Sequence, residues 1–150
     1  MTYKMDEKDR KIIEVLKEHG DYTTREIAKK TLLPTTTIHN RIKKLQEEGV
    51  IKKFTIDVDN SKIDKGFLAY ILISANLPLL KQKGKTQYDL AEEIRKLYFV
   101  ERLDIVSGHT DLLAVIRVKD VEEFDKVLLG RLQAIEGIEK TESLIVIHGK

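Results

Sequence analysis

Residues 23–49, TTREIAKKTLLPTTTIHNRIKKLQEEG, carry the signature of two short helices joined by a tight turn. Thr23 and Glu26 stand in the S/T-x-x-E arrangement, where the hydroxyl accepts the amide of the third helical residue and the carboxylate reaches back to the cap. A helix is therefore expected from Thr23. It should end near Thr31, because Pro34 has no amide hydrogen and its ring disfavours a helical Leu33. Beyond Pro34, Ile38, Ile42 and Leu45 recur at i, i+4 and i+7, which places them on one stripe of a second helix until Gly49 offers a left-handed stop.

The opposite face of that second helix brings Thr36, Asn40 and Lys43 together at about 100° per residue, flanked by Thr35, Thr37, His39 and Lys44. Asn can bond an adenine edge through two hydrogen bonds, Thr can bond a base or touch a thymine methyl, and Lys can reach guanine or phosphate. Arg41, on the flank, suits a phosphate. An isolated polar helix face is more often a solvated surface than a binding one. Here it follows a capped helix and a short turn, its N-terminal end is rich in Thr, and Lys52 and Lys53 come directly after it, which together favour double-stranded DNA.

Charge supports the same partner. Between Lys29 and Lys53 there are seven cations against two acids, a local +5, whereas from Gly66 onward twelve cations face thirteen acids. Only the first half attracts phosphate. The 150 residues, 41% hydrophobic, suffice for two small cores. With no cysteine, disulfides, thiolate metal sites and a cysteine nucleophile are excluded. His19, His39, His109 and His148 show no metal-ligand spacing, and no converging nucleophile and base are visible, so neither a metal, a cofactor nor an enzymatic activity is expected. No stretch reaches the ~20 apolar residues of a membrane span, and the first residues lack the apolar core of a signal peptide, so the expected location is the cytoplasm.

In chain order, Asp6 can cap a helix whose apolar stripe is Ile12, Ile13 and Leu16, with His19 at its negative end in a structural role. Residues 1–50 thus form a three-helix, winged-type helix-turn-helix domain. Residues 51–65 are expected to be a strand, with Phe54, Ile56 and Val58 spaced by two, and then a polar linker. Asn76 to Lys85 reads as a solvated loop. From residue 66 to 150 two similar units succeed each other: strands at 67–75, 102–107, 112–118 and 141–147, and helices opened by Thr86 and by an Asp120–Glu123 capping box. That order, βαββαβ, is the ferredoxin-like arrangement, so the fold class is α+β.

The helices of such a fold cover one sheet face, yet the first strand is apolar on both: Phe67, Ala69, Ile71 and Ile73 against Leu68, Tyr70 and Leu72. A second subunit is expected over the other face, which makes the protein at least a homodimer. Between the middle strands lies SGHTD. As a plain hairpin turn, Asp111 would bond the turn amides; as a site, Gly108, His109, Thr110 and Asp111 could hold a small zwitterion, with Asp111 meeting an ammonium and the turn amides a carboxylate.

The opening MDEKDRKIIEVLKEHG, the segment TREIAKKT, the run TTIHNRIKKLQEEGVIKKFTIDVD and the later SGHTDLLAVIRVKDVEEF together resemble the Lrp/AsnC family of feast/famine transcription regulators. The resemblance covers nearly the whole chain. It implies an N-terminal helix-turn-helix, a C-terminal ligand-sensing and assembly domain, dimers that can join into octamers, and transcription controlled by an amino acid bound near Gly108 to Asp111. Two departures stand out. Leu32 occupies the place of a Gly usual in the turn between the DNA-binding helices, and His109 and Thr110 replace an acid or Asn followed by an aromatic.

Overall fold

Asp6 opens the first helix with a reciprocal cap: its carboxylate accepts the Asp9 amide at 2.9 Å, while that of Asp9 accepts the Asp6 amide at 3.1 Å. The helix, α1, runs Glu7–Glu18. In the computed structural model, which describes residues 2–149, α2 follows at Thr24–Thr31 and α3 at Thr35–Glu47. Thr23 and Glu26 make the expected box, with the Thr23 amide donating to Glu26 at 2.7 Å. Ile12, Ile27 and Ile38 meet in a fully buried cluster wrapped by Val15, Leu16, Tyr22, Ala28, Leu33 and Ile42. His19 caps the C-terminus of α1 and stacks on Tyr22, ring centroids 4.2 Å apart.

The strand expected over residues 51–58 does not form. The segment pairs with no ladder among the described residues, and its alternating side chains stand exposed: Phe54 by 49% and Ile56 by 81%. An extended stretch becomes a strand only when a neighbour takes its amides and carbonyls, and alternation in one segment says nothing about that neighbour. The segment lines one side of an open groove of about 920 Å³, with Ile13 and Leu16 of α1 on the other. Ile13 therefore faces this groove and not the three-isoleucine core.

The chain divides into two compact units, residues 1–58 and 59–150. The second begins with a short 3-10 turn, Asn60–Ile63, and contains β1 Phe67–Ala75, α4 Leu77–Gln82, α5 Gln87–Arg95, β2 Val100–Ile105, β3 Leu112–Val118, α6 Val121–Val127 and β4 Ile138–Ile145. Its sheet has the order β2-β3-β1-β4, antiparallel throughout, the ferredoxin-like topology expected. Ala69, Ile71 and Ile73 of β1 pack with Leu112, Ala114 and Ile116 of β3 under Leu90, Ile94, Phe124 and Leu132 from the helical layer. The opposite face carries half-buried Leu68, Leu72, Leu113 and Val115, with the cross-strand pair Tyr70 and Leu144 exposed by 39% and 47%.

Three local readings change. Asn76 to Lys85 is not a loop: the Asn76 side chain accepts the Leu79 amide at 3.0 Å and starts α4, Pro78 is tolerated in the first turn, and Leu80 is buried. Leu80 packs on Gly137, where a Cβ would lie 2.5 Å from its Cδ2 and φ is +105°. Tyr98, which the helical period running from Leu90 through Ile94 would carry onto the buried stripe, lies beyond the end of α5, is 69% exposed and donates to Glu123. Glu123 does not complete a capping box either; Asp120 caps its amide, but its own carboxylate takes the Lys119 amide.

Candidate nucleic-acid interface

The turn from α2 to α3 rests on Leu32, whose backbone is left-handed at φ +58° and ψ +30°. A leucine there costs about 1–2 kcal/mol relative to right-handed backbone, so the absence of Gly leaves the bend in place at an energetic cost. The side chain is 89% exposed. Pro34 then provides an extended entry to α3 without a side-chain cap, leaving the amides of the first turn directed outward. Ile38 and Leu45 are fully buried, which fixes the rotation of the helix about its axis. Thr35, Thr36, His39, Asn40, Lys43 and Lys44 are accordingly exposed, while Thr37 is half-buried at the edge. Lys43 makes a loose exposed pair with Glu47 at 3.9 Å, too weak to withhold it from a phosphate. Lys52 and Lys53 are exposed on the extended segment after the helix.

Arg41 is placed differently from the phosphate-reaching role expected of it. Its guanidinium pairs with Asp6 and, at 3.0 Å, with Asp9, whose side chain is 1% exposed. On the helix wheel Arg41 is three residues after Ile38 and four before Leu45, so it borders the buried stripe and not the free face. These bonds raise the Arg41 pKa. The Asp9 amide, followed by Arg41, holds the Asp6 carboxyl below its ordinary range. Tyr3 joins the cluster: its hydroxyl donates to Asp9 at 3.0 Å, and desolvation followed by that bond raises its pKa, keeping the phenol protonated. The Lys44 ammonium stands over the Tyr3 ring at 5.4 Å. Sequence patterns did not reveal this cluster, because Arg41 is separated from its acids by 32 and 35 residues. Its position beside the apolar stripe was the available signal.

In the second unit, the SGHTD turn joins β2 to β3, and the Asp111 carbonyl accepts the Val106 amide across it at 2.9 Å, but the Asp111 side chain does not bond the turn amides. One carboxylate oxygen accepts the Ala75 amide at 2.8 Å and the other accepts the Gln87 side chain at 2.9 Å. The Thr110 hydroxyl donates to the Ile73 carbonyl at 2.7 Å. Asp111 and Thr110 thus fasten the turn to the end of β1 and the first residue of α5. Gly108 and His109 remain exposed, and among the described residues their backbone amides have no partner. Gln87 is the member of this site that sequence reading missed.

A helix-turn-helix with an exposed Thr/Asn/Lys face, carried with a ferredoxin-like unit, defines a DNA-binding transcription regulator with a regulatory domain. Residues 5–52 match the family described as winged helix-turn-helix DNA-binding, and residues 71–149 the Lrp/AsnC ligand binding domain. The chain belongs to the Lrp/AsnC family of transcription regulators. It is 38% identical over 143 residues to the HTH-type transcriptional regulator FL11 of Pyrococcus furiosus, covering 95% of this chain and 89% of that one. Among solved structures it is similar to the transcriptional regulator NMB0573 of Neisseria meningitidis, in complex with L-Met, at a TM-score of 0.87 and 25% identity, covering 97% of this chain and 91% of the other. Escherichia coli AsnC shares the fold at a TM-score of 0.86 and 24% identity, with 98% and 95% covered. No helix among the described residues is long and apolar enough to cross a membrane.

Proposed function

We propose that α3 enters the major groove of duplex DNA, with Asn40 and Thr36 reading base edges and Thr35, Thr37, His39, Lys43 and Lys44 contacting flanking bases or phosphates. Lys52 and Lys53 bind the backbone alongside. The observation that carries this reading is the exposure of the Thr36, Asn40 and Lys43 face while Ile38 and Leu45 are fully buried. Arg41 is reassigned to holding α3 against α1. Regulation without catalysis, as a cytoplasmic homodimer able to build larger assemblies, completes the proposal. The apolar open sheet face supports the dimer.

The effector is a small amino acid at the turn Gly108 to Asp111, next to a subunit contact. The free amides of Gly108 and His109 suit its carboxylate, and NMB0573 with its L-Met supports the ligand class. An ammonium would reach Asp111 by replacing the Gln87 amide.

Selection of bound sites from random duplex DNA, with and without pooled amino acids, tests both halves. A recurring sequence should emerge and its recovery should change with amino acids. On that sequence Asn40→Ala should cost about 1–3 kcal/mol and on random DNA little. Equal loss on both duplexes would move Asn40 to a phosphate, and no enriched sequence would overturn sequence-specific reading.

A further inference from the structure

We infer that the segment Thr2–Lys4, ahead of α1, is an additional DNA-binding element, in which Tyr3 anchors a short arm to the flank of α3 and Lys4 supplies a phosphate contact. The inference rests on α3 being the DNA-facing helix. The arm precedes residue 5, where the match to the winged helix-turn-helix family begins.

Two contacts place the arm. The Tyr3 hydroxyl is bonded to buried Asp9, which in turn holds Arg41 of α3. On its open side the Tyr3 ring lies under the ammonium of Lys44, at 5.4 Å. Lys44 lies about 80° around the helix from Thr36, on the rim of the exposed face. The ring is thus wedged between a buried acid and a rim cation, which brings the backbone of residue 3 alongside the recognition helix. Consecutive Cα atoms are about 3.8 Å apart, so Lys4 begins beside the same rim. Thr2 and Lys4 are exposed, and Lys4 forms no ion pair among the described residues. The acids nearby do not cancel it: Asp6, Glu7 and Asp9 face Lys4, Lys8, Lys11, Arg41 and Lys44, three charges against five, with Arg41 engaging Asp6 and Asp9 and Lys11 engaging Glu7 at 3.0 Å. Lys4 therefore adds a cation beside Lys44, at the edge of the basic surface of residues 29–53.

Tyr3 performs two tasks in this arrangement. The ring contact orients Lys44 at the rim without neutralising it, since the face of an aromatic ring attracts a cation and leaves its charge intact. The hydroxyl bond shortens the arm's conformational freedom before DNA arrives, so that less entropy is lost when Lys4 meets a phosphate. An unanchored segment would offer the same charge with a weaker contact.

The experiment measures affinity of the full chain for a random duplex against salt. Four variants are used: Lys4→Ala, Tyr3→Ala, Lys43→Ala on α3, and Lys96→Ala, an exposed lysine of the other unit with the same charge change. Each lost phosphate contact should flatten the slope of log affinity against log salt by about 0.9, equivalent to roughly eightfold in affinity at 0.1 M salt. Lys4→Ala is expected to show that loss, Tyr3→Ala a loss at least as large, and Lys96→Ala none. Lys4→Ala alters an exposed side chain and so remains informative if Tyr3→Ala loosens the helical unit, which a thermal melt would reveal. A wild-type slope in Lys4→Ala beside a flattened slope in Lys43→Ala overturns the arm and leaves the α3 reading standing. Wild-type slopes in both overturn the α3 reading itself. An equal loss in Lys96→Ala reduces the effect to net charge and also overturns the arm.

Discussion

The two units solve the same problem of closing a small core by opposite means. The C-terminal unit lays a helical layer over one face of a four-stranded sheet, and residues from β1, β3, α5 and α6 are almost completely excluded from solvent. The N-terminal unit closes on three isoleucines, one from each helix, and adds a polar latch in which Arg41 joins α3 to the start of α1. A sheet has two faces, so the first solution leaves an apolar surface outside. Three helices of this size leave little apolar surface to bury, so the second solution relies on charge at the point where α3 must be held. The proposed assembly is thereby left to the sheet, and the free polar face to α3.

The contrast is tested most severely at the open sheet face. Leu72→Asp, on the side of β1 away from its helices, places a charge where a second subunit is proposed to pack. An uncompensated buried charge costs about 3–5 kcal/mol, so sedimentation of the full chain should show dimers falling apart. An unaltered dimer would mean that subunits meet elsewhere. Ile38→Ala tests the other core. Such a truncation costs about 2–5 kcal/mol, and a unit of this length has only about 3–9 kcal/mol of stability at roughly 0.05–0.15 kcal/mol per residue. Calorimetry should therefore show the helical transition lowered or lost while that of the sheet unit persists. A single transition shifting as a whole would show that the units melt together and would dissolve the comparison.

A smaller effect sharpens the role of the latch. Asp9→Ala removes the buried partner of Arg41 and the acceptor for Tyr3, and should cost about 1–3 kcal/mol, since Asp6 still holds the guanidinium and Arg41 retains some exposure to water. The loss should appear in the helical transition alone. If stability is unchanged, Arg41 is not needed to hold α3 and returns to the set of candidate phosphate ligands.

The parts of this structure that were legible in the sequence are those written in neighbouring residues. Thr23 with Glu26, the Ile38–Ile42–Leu45 stripe and the apolar runs of β1 and β3 each declare an element within a few positions, and the βαββαβ order follows. The parts that were not legible depend on partners far along the chain. Residues 51–58 alternate like a strand but have no ladder, because pairing belongs to two segments and only one was visible. Asn76 to Lys85 looked like a loop because Pro78 and the lysines mask a cap that only Asn76 reveals. At the candidate sites, exposure of the α3 face followed from periodicity, whereas the capture of Arg41 by Asp6 and Asp9, and of Asp111 by Ala75 and Gln87, required the fold.

The smallest effect concerns the caps, and it separates charge from shape in the helix-turn-helix. The Glu26 carboxyl is held below its ordinary pKa, first by the Thr23 amide and then by the Thr23 hydroxyl. A carboxyl whose folded pKa is depressed adds stability that is fully present above its unfolded value, near 4.3, and is lost as pH falls through the lower folded value. Glu26→Gln keeps the shape and removes the charge. The variant should therefore melt below the wild type at pH 6 to 7, and the gap should narrow as the pH drops below about 4, where the wild-type carboxyl is also neutral. Because the pair is exposed, the gap should be small, a degree or a few in Tm. A gap that stays constant through the acid range would show that Gln fails for geometric reasons and that the charge on Glu26 adds nothing to the start of α2.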